Sequence, residues 1–114
     1  MKILLDILNF DFENYDLSDY LKSIKENFPL SEIYVKEKNR INIDLLKYYN
    51  IKDYNNNCDI LIFFKNNEKS HNPQTTKFKF NFYFDLSYPW WSYRLRTNND
   101  ETHDLIDPDQ KQTV

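Results

Sequence analysis

The sequence contains no glycine among its 114 residues, and it contains no alanine either. At the average usage of about 7%, roughly eight glycines would be expected. Phosphate-cradling loops, dinucleotide-binding turns and nucleophile elbows depend on glycine, because it combines free positive φ angles with a bare backbone. The sequence therefore excludes these glycine-dependent designs. Asparagine also tolerates left-handed conformations, so its abundance predicts that asparagine replaces glycine in turns.

Cysteine occurs once, as Cys58, which excludes an internal disulfide. The first apolar run, Ile3-Leu4-Leu5, ends at Asp6 and is too short for a signal peptide or a membrane span. We therefore expect a cytoplasmic protein without a membrane partner. A chain of this length should form a single α+β domain over residues 1–97, followed by an acidic polar tail, 98–114, that packs on the domain or extends from it.

Positive and negative charges are unevenly distributed along the chain, whose net charge is −3. Residues 1–19 hold five carboxylates and one lysine, and residues 100–114 again hold five carboxylates and one lysine. Residues 65–96 hold six lysines and arginines against two carboxylates. Acidic ends therefore flank a basic middle, and the negative total disfavours binding of nucleic acid by the protein as a whole.

Hydrophobic patterning predicts a strand, a helix and a second strand in the first third of the chain. Ile3–Leu8 has the pattern of a strand. Asp16 is a suitable N-cap for a helix that ends near Asn27, because Pro29 follows closely. Glu32–Lys36 is a short strand candidate.

The middle of the chain combines one open alternative with one clear strand. Asp44 could cap a second helix through Tyr49, or Arg40–Asp44 could return as a hairpin strand, and the pattern does not decide between them. Asp59–Phe64 is almost continuously apolar and of strand length, which predicts a central strand buried on both faces.

Phenylalanines alternate with other residues from position 78 to position 84, which predicts a strand with one buried face. Trp90–Arg96 is the next strand candidate, and parity in a hairpin would place Phe82 opposite Trp91. The reverse side of this hairpin would then be an exposed face, which we call the basic aromatic face. It comprises Tyr83, Trp90, Lys77, Lys79, Arg94 and Arg96.

These elements together predict an α+β fold. One or two helices would cover one face of a four- or five-stranded mixed, mainly antiparallel sheet.

Side chains that could support nucleophilic or metal chemistry are few and widely separated. Cys58 with His71 or His103 could form a nucleophile–base pair. However, a free cysteine at the mouth of an apolar strand is usually a small buried residue, and neither histidine has a cysteine at metal-ligand spacing. We therefore predict no enzyme activity, no catalytic residue, no metal and no cofactor.

Asp6 places a charge within the apolar first strand. General acid–base chemistry by carboxylates needs two that converge in a cleft, and Asp59 and Asp85 are the candidate neighbours. Strand-end positions facing water explain all three residues more simply. We therefore assign them no catalytic role.

Two surfaces remain as candidate interfaces. The basic aromatic face could bind an acidic patch of a protein or stack single-stranded nucleic acid. The acidic residues could instead imitate nucleic acid and block a basic protein, with fast association from charge complementarity. This acidic surface comprises Asp11, Glu13, Asp16 and Asp19, joined by Asp104, Asp107 and Asp109 of the tail.

A small, acidic single domain rich in asparagine and lysine resembles the immunity proteins of bacterial contact-dependent inhibition and related polymorphic toxin systems. The resemblance implies a protein that binds a cognate toxin, commonly a nuclease, and occludes its active site. Phage-encoded inhibitors of host defence proteins have the same character. A small module that binds single-stranded nucleic acid through the basic aromatic face is the remaining alternative, although the negative charge disfavours it.

Overall fold

The structure, a computed structural model, describes residues 1–68, 71–88 and 91–98. Two helices, α1 (Leu17–Asn27) and α2 (Ile43–Tyr48), accompany a single sheet. In chain order its strands are β1 (Lys2–Leu5), β2 (Glu32–Val35), β3 (Lys52–Asp53), β4 (Ile60–Lys65), β5 (Phe80–Asp85) and β6 (Arg96–Thr97). Across the sheet the order is β3-β2-β1-β4-β5-β6.

The sheet is mixed and mainly parallel. All neighbouring pairs from β3 to β5 are parallel, and β6 alone runs antiparallel to its neighbour. The α+β class with a mixed sheet is therefore confirmed, whereas the prediction of four or five mainly antiparallel strands is wrong. A parallel pair needs a crossover of a dozen or more residues, which is usually helical. The described residues of the crossover from β4 to β5, 66–68 and 71–79, contain no α-helix, so no helical pattern in the sequence indicated this connection.

Both helices pack on one face of the sheet, as predicted. Leu17, Leu21 and Ile24 of α1 lie in the main core with alternate residues of the central strands, and Leu45 and Leu46 of α2 pack against it. The other face carries a smaller cluster, covered by connecting loops. Its buried members are Leu4, Leu61, Phe63 and Tyr83, with Tyr54, Cys58 and Phe78 packed against them.

Residues on both faces of β4 are buried, which confirms the predicted central strand. Ile60, Ile62 and Phe64 belong to the main core, whereas Leu61 and Phe63 belong to the smaller cluster. Because the helices cover one face of the sheet and connecting loops cover the other, side chains on both faces of this strand are screened from water.

Capping side chains define both helices. The Asp16 carboxylate accepts a hydrogen bond from the backbone N–H of Ser18, and α1 ends at Asn27, as predicted. Residues 43–48 are helical, which decides the alternative that the pattern left open. The cap of this helix is Asn42 rather than Asp44, because the Asn42 side chain accepts from the Asp44 N–H.

Aromatic rings fill the main core where small residues are missing. Phe10, Tyr20, Phe64 and Phe84 are all buried. Tyr20 lies edge-on to the other three, with ring centroids 5.1–5.4 Å apart. Edge-to-face packing at these separations is the favoured geometry of aromatic pairs, so one helix residue joins α1 to two central strands.

The predicted hairpin register is wrong. Phe82 pairs with Thr97 rather than Trp91, and residues 91–94 form turns instead of a strand. The strand that precedes them begins only at Phe80, because residues 75–77 form a 3₁₀ turn. Phe78 therefore packs on the smaller cluster, opposite the face that it was predicted to share with Phe82.

Asparagine occupies the left-handed turns, as predicted. Among the described residues, positive φ angles occur at Asn50 (51°) and Asn56 (66°). Asn50 follows the last turn of α2, a position where glycine is usually found because it has no Cβ to clash.

Replacing Asn50 tests this conformation. Asn50→Gly should leave the free energy of unfolding unchanged or slightly raised. Asn50→Val should lower it by about 1–2 kcal/mol, because a β-branched residue is strained at positive φ. Urea unfolding measures both. Asn57→Val, at an exposed position without positive φ, is the control. Equal losses in the two valine variants would contradict the argument.

Candidate functional site

The carboxyl ends of the parallel strands form one edge of the sheet, and strand order reverses beside β1. From β1 the chain goes first to β2 on one side, whereas β4 lies on its other side. In open sheets of this kind, ligands bind outside the carboxyl ends of the strands at such a reversal. Asp6 follows β1 directly, so its side chain stands at this point.

Asp6 and His71 form a polar pair there. Asp6 Oδ2 lies 3.1 Å from His71 Nε2, and Asp6 Oδ1 accepts a hydrogen bond from the Leu8 N–H at 3.0 Å. The Asp6 side chain is 15% exposed and that of His71 is 40% exposed. The carboxylate is therefore held in a fixed orientation, while the imidazole remains open to water.

Asn9 holds the histidine in place. Its side-chain amide donates to the carbonyls of Phe64 (3.2 Å) and His71 (2.7 Å), and its Oδ1 accepts from the His71 N–H. Asn66 donates in turn to the Asn9 carbonyl. Since Asn9 is buried, these bonds link the segment after β1, the end of β4 and the following loop into one rigid support.

A cleft of about 270 Å³ opens beside this pair on the helix-free face of the sheet. Leu4 and Leu61 lie at its base, and the half-buried rings of Tyr54 and Phe78 border it. Polar side chains complete the lining. They are Asp6, Lys36, Glu37, Asn56, His71, Asn72, Gln74 and Lys77.

The neighbours of Asp6 differ from those expected. Asp59 lies at the opposite edge, where its N–H donates to the Lys2 carbonyl. Asp85 accepts from the Ser87 N–H. The partner of Asp6 is instead His71, from a loop 65 positions away in sequence. The unexpected carboxylate in an apolar strand was the available signal, and nothing in the local sequence pointed to the histidine.

The acidic residues near the start of the chain lie at the same edge of the sheet, in the connection between β1 and α1 and in the first turn of α1. Glu13, Asp16 and Asp19 are exposed. Asp11 is half-buried, and its carboxylate accepts from the N–H groups of Glu13 and Asn14. The structure thus brings this part of the predicted acidic surface together, whereas Asp104, Asp107 and Asp109 lie outside the described residues.

An open groove of about 450 Å³ runs beside these carboxylates, and we call it the acidic groove. Phe12 is 37% exposed there, and its ring packs edge-on against Phe10 at 4.8 Å. The Arg40 guanidinium lies 5.0 Å from the same ring. The residues that line the groove are Phe12, Glu13, Asn14, Tyr15, Asp16, Leu17, Asn42 and Leu45.

The basic aromatic face does not exist as predicted. Tyr83 and Arg96 are each only 6% exposed, which corrects the expectation that both face water. The Arg96 guanidinium lies 5.5 Å from the Tyr88 ring and 5.4 Å from the Trp91 ring. Its charge is therefore directed into the fold. The prediction failed because the hairpin pairs in a different register.

The remaining members of that face are dispersed. Lys77 and Lys79 are exposed, and Arg94 is half-buried, with its guanidinium 5.9 Å from the Trp91 ring. Trp90 lies outside the described residues. Of the predicted set, two lysines therefore remain as exposed cations.

Cys58 is half-buried beside the smaller cluster. Desolvation by burial raises the pKa of its thiol to about 11, from an ordinary value of 9.0. Because the thiolate is the reactive form, this environment works against a nucleophilic role.

Within residues 1–68, 71–88 and 91–98, His, Cys, Asp and Glu side chains nowhere gather in groups of three that could hold a metal ion. The helices of the described segments are too short and too polar to cross a membrane. No protein-family model, curated protein or solved structure matches the chain.

The hydrogen bonds of Asn9 predict that truncation of its side chain destabilises the folded protein. Asn9→Ala should lower the free energy of unfolding by about 1–3 kcal/mol, because it removes the hydrogen bonds to the buried Phe64 carbonyl and to the partly buried backbone groups of His71. Urea unfolding measures the loss. Asn57→Ala, at an exposed position, is the control and should change stability by less than about 0.5 kcal/mol. A similar small change in Asn9→Ala would contradict the role of Asn9.

The raised pKa of Cys58 predicts slow alkylation. At pH 8, iodoacetamide should modify the folded chain at least about tenfold more slowly than the same chain in urea, because the raised pKa lowers the thiolate fraction. Mass spectrometry follows the reaction. A folded-state rate within a few-fold of the unfolded rate would show that the thiol is not suppressed.

Proposed function

We propose that this protein is a non-enzymatic inhibitor, an immunity protein that binds a basic cognate toxin through the acidic groove. The observation that carries the proposal is the groove itself. Among the described residues, its lining combines two carboxylates with apolar, aromatic and asparagine side chains and contains no lysine or arginine, and the nearby Arg40 guanidinium packs on the Phe12 ring. Such a surface offers charge complementarity and a contact area for Phe12 in one place.

The charges of this surface are not neutralised within the described part of the chain. No lysine, arginine or histidine there comes within ion-pair distance of Glu13, Asp16 or Asp19. Uncompensated carboxylates attract a cationic partner and accelerate its association. A nuclease must present cations to bind phosphates, so carboxylates in this arrangement can occupy the positions of the phosphates. This supports a nuclease as the toxin.

The two alternatives differ in their support. Binding of single-stranded nucleic acid loses much of its basis because Tyr83 and Arg96 are buried. A phage-encoded inhibitor of a host defence protein would use the same acidic groove. The identity of the bound partner distinguishes it from an immunity protein.

The test removes the charges while preserving the local structure. In a triple variant, Glu13→Gln and Asp19→Asn are near-isosteric, and Asp16→Asn keeps a residue that caps helices equally well. The matched control removes three other exposed carboxylates, which lie outside the acidic groove and form no ion pair with the described residues, through Glu26→Gln, Asp59→Asn and Glu68→Gln.

The product of the neighbouring gene is the probe. It should be toxic when expressed alone in a bacterial host, and co-expression of this chain should restore growth through a stable 1:1 complex. The triple variant should lower the association rate about tenfold or more at low salt, and the control variant should not. Equal rates for the two variants would refute the acidic groove as the interface.

A separate binding measurement addresses the nucleic-acid alternative. The native chain is titrated with single-stranded oligonucleotides at low salt. Micromolar, salt-sensitive binding that is lost in Trp90→Ala would favour the nucleic-acid module and overturn the inhibitor. We expect no such binding.

A further inference from the structure

Two lysines of the cleft on the helix-free face have charges that the described residues do not neutralise. Lys36 and Lys77 both line the cleft, and neither lies within ion-pair distance of a carboxylate among those residues. The carboxylates of the cleft have other partners, since Asp6 contacts His71, and Glu37 pairs with Arg40 at 3.3 Å. The two lysines are therefore the contacts that this cleft offers to an anion.

The cleft also favours a flat apolar group. Tyr54 and Phe78 are each half-buried, so part of each ring faces the space between the loops, above Leu4 and Leu61. Lys36 Nζ lies 5.5 Å from the centre of the Tyr54 ring. A planar ligand could stack on these rings beside the cation, as bases do on aromatic side chains.

We propose that this cleft binds a nucleoside monophosphate, with its base against Tyr54 and Phe78 and its phosphate close to Lys36 and Lys77. A volume of about 270 Å³ suits a ligand of this size rather than a dinucleotide cofactor. The site lies at the strand-order reversal, where open sheets place their ligands.

Polar groups around the cleft suit the rest of such a ligand. Each oxygen of the Asp6 carboxylate has one protein contact and retains a free lone pair, which could accept from a ribose hydroxyl. Asn56, Asn72 and Gln74 supply amide donors and acceptors for the edge of a base.

The proposed position of the phosphate differs from its position in proteins with a glycine-rich phosphate-binding loop. Those proteins bind phosphate at the amino end of the helix after the first strand. Here the Asp16 carboxylate already accepts the Ser18 N–H at the start of α1, and Asp19 adds a second negative charge. An anion is repelled from that position, so the exposed lysines of the cleft are the better contact.

Isothermal titration calorimetry with AMP, GMP, CMP and UMP at low salt tests the proposal on the full chain. We expect at least one to bind, and Lys77→Gln to weaken it about tenfold or more. Lys79→Gln is the matched control, because Lys79 is exposed, carries the same charge and does not line the cleft. It should change the affinity less than about twofold.

Backbone NMR of the unmodified chain gives a second readout that needs no variant. The bound monophosphate should shift the amide resonances of residues 6–8, 36–37 and 71–78. Shifts confined to other segments would place the ligand elsewhere and overturn the proposal.

Matched ligands test each part of the proposal. A nucleoside that binds as tightly as its monophosphate would refute the phosphate contact, and inorganic phosphate of equal affinity would refute the base contact. Affinity that rises with oligonucleotide length and falls equally in Lys77→Gln and Lys79→Gln would indicate an extended nucleic-acid surface instead. Absence of binding by every monophosphate at millimolar concentration would also overturn the proposal.

The result is independent of the proposed inhibitor function. The triple acidic variant should retain its affinity for the monophosphate, because Glu13, Asp16 and Asp19 do not line the cleft. Lys77→Gln should still neutralise the toxin. Each of the two proposals can therefore be refuted without refuting the other.

Discussion

Parallel pairing between β1 and β4 determines where every other element of this protein lies. The register runs from Ile3 opposite Ile60 to Leu5 opposite Ile62, at the centre of the sheet. Connections that leave this pair in opposite directions cover opposite faces, as crossovers of a single hand require. Helix α1 therefore lies on one face, whereas the loop that contains Phe78 covers the other.

The absence of glycine and alanine has two physical consequences that the structure makes visible. Large rings replace small residues in the main core, where Tyr20 contacts three phenylalanines edge-on. Asn50 and Asn56 take the left-handed turns. The absence of glycine excludes a phosphate loop but not a phosphate site, because side-chain cations can hold the anion without a bare backbone. The absence of glycine therefore excludes certain loop structures from a binding site, but it does not exclude a ligand that contains phosphate.

Features that depend on nearby residues could be predicted from the sequence, and features that depend on the path of the chain could not. The N-cap of α1 at Asp16 and the burial of β4 on both faces follow from the local sequence pattern. Strand direction depends on how residues 66–79 cross the sheet, and their polar composition does not reveal that route. The same crossover brings His71 to Asp6, so one missed connection concealed both the topology and the candidate site.

The energetics of the Asp6–His71 pair favour a role in binding over a role in folding. A carboxylate at the end of an apolar strand loses hydration, and the Leu8 N–H together with the partly exposed His71 offsets only part of that cost. An apolar residue at position 6 would continue the core of β1 without this penalty. Yet the side chain of the buried Asn9 forms two hydrogen bonds with the backbone of His71 and so holds that segment in place. The Asp6–His71 pair is therefore costly, and Asn9 holds it on a rigid support. It lies beside two lysines that have no carboxylate partners in the described chain. A preorganised binding site requires such an arrangement.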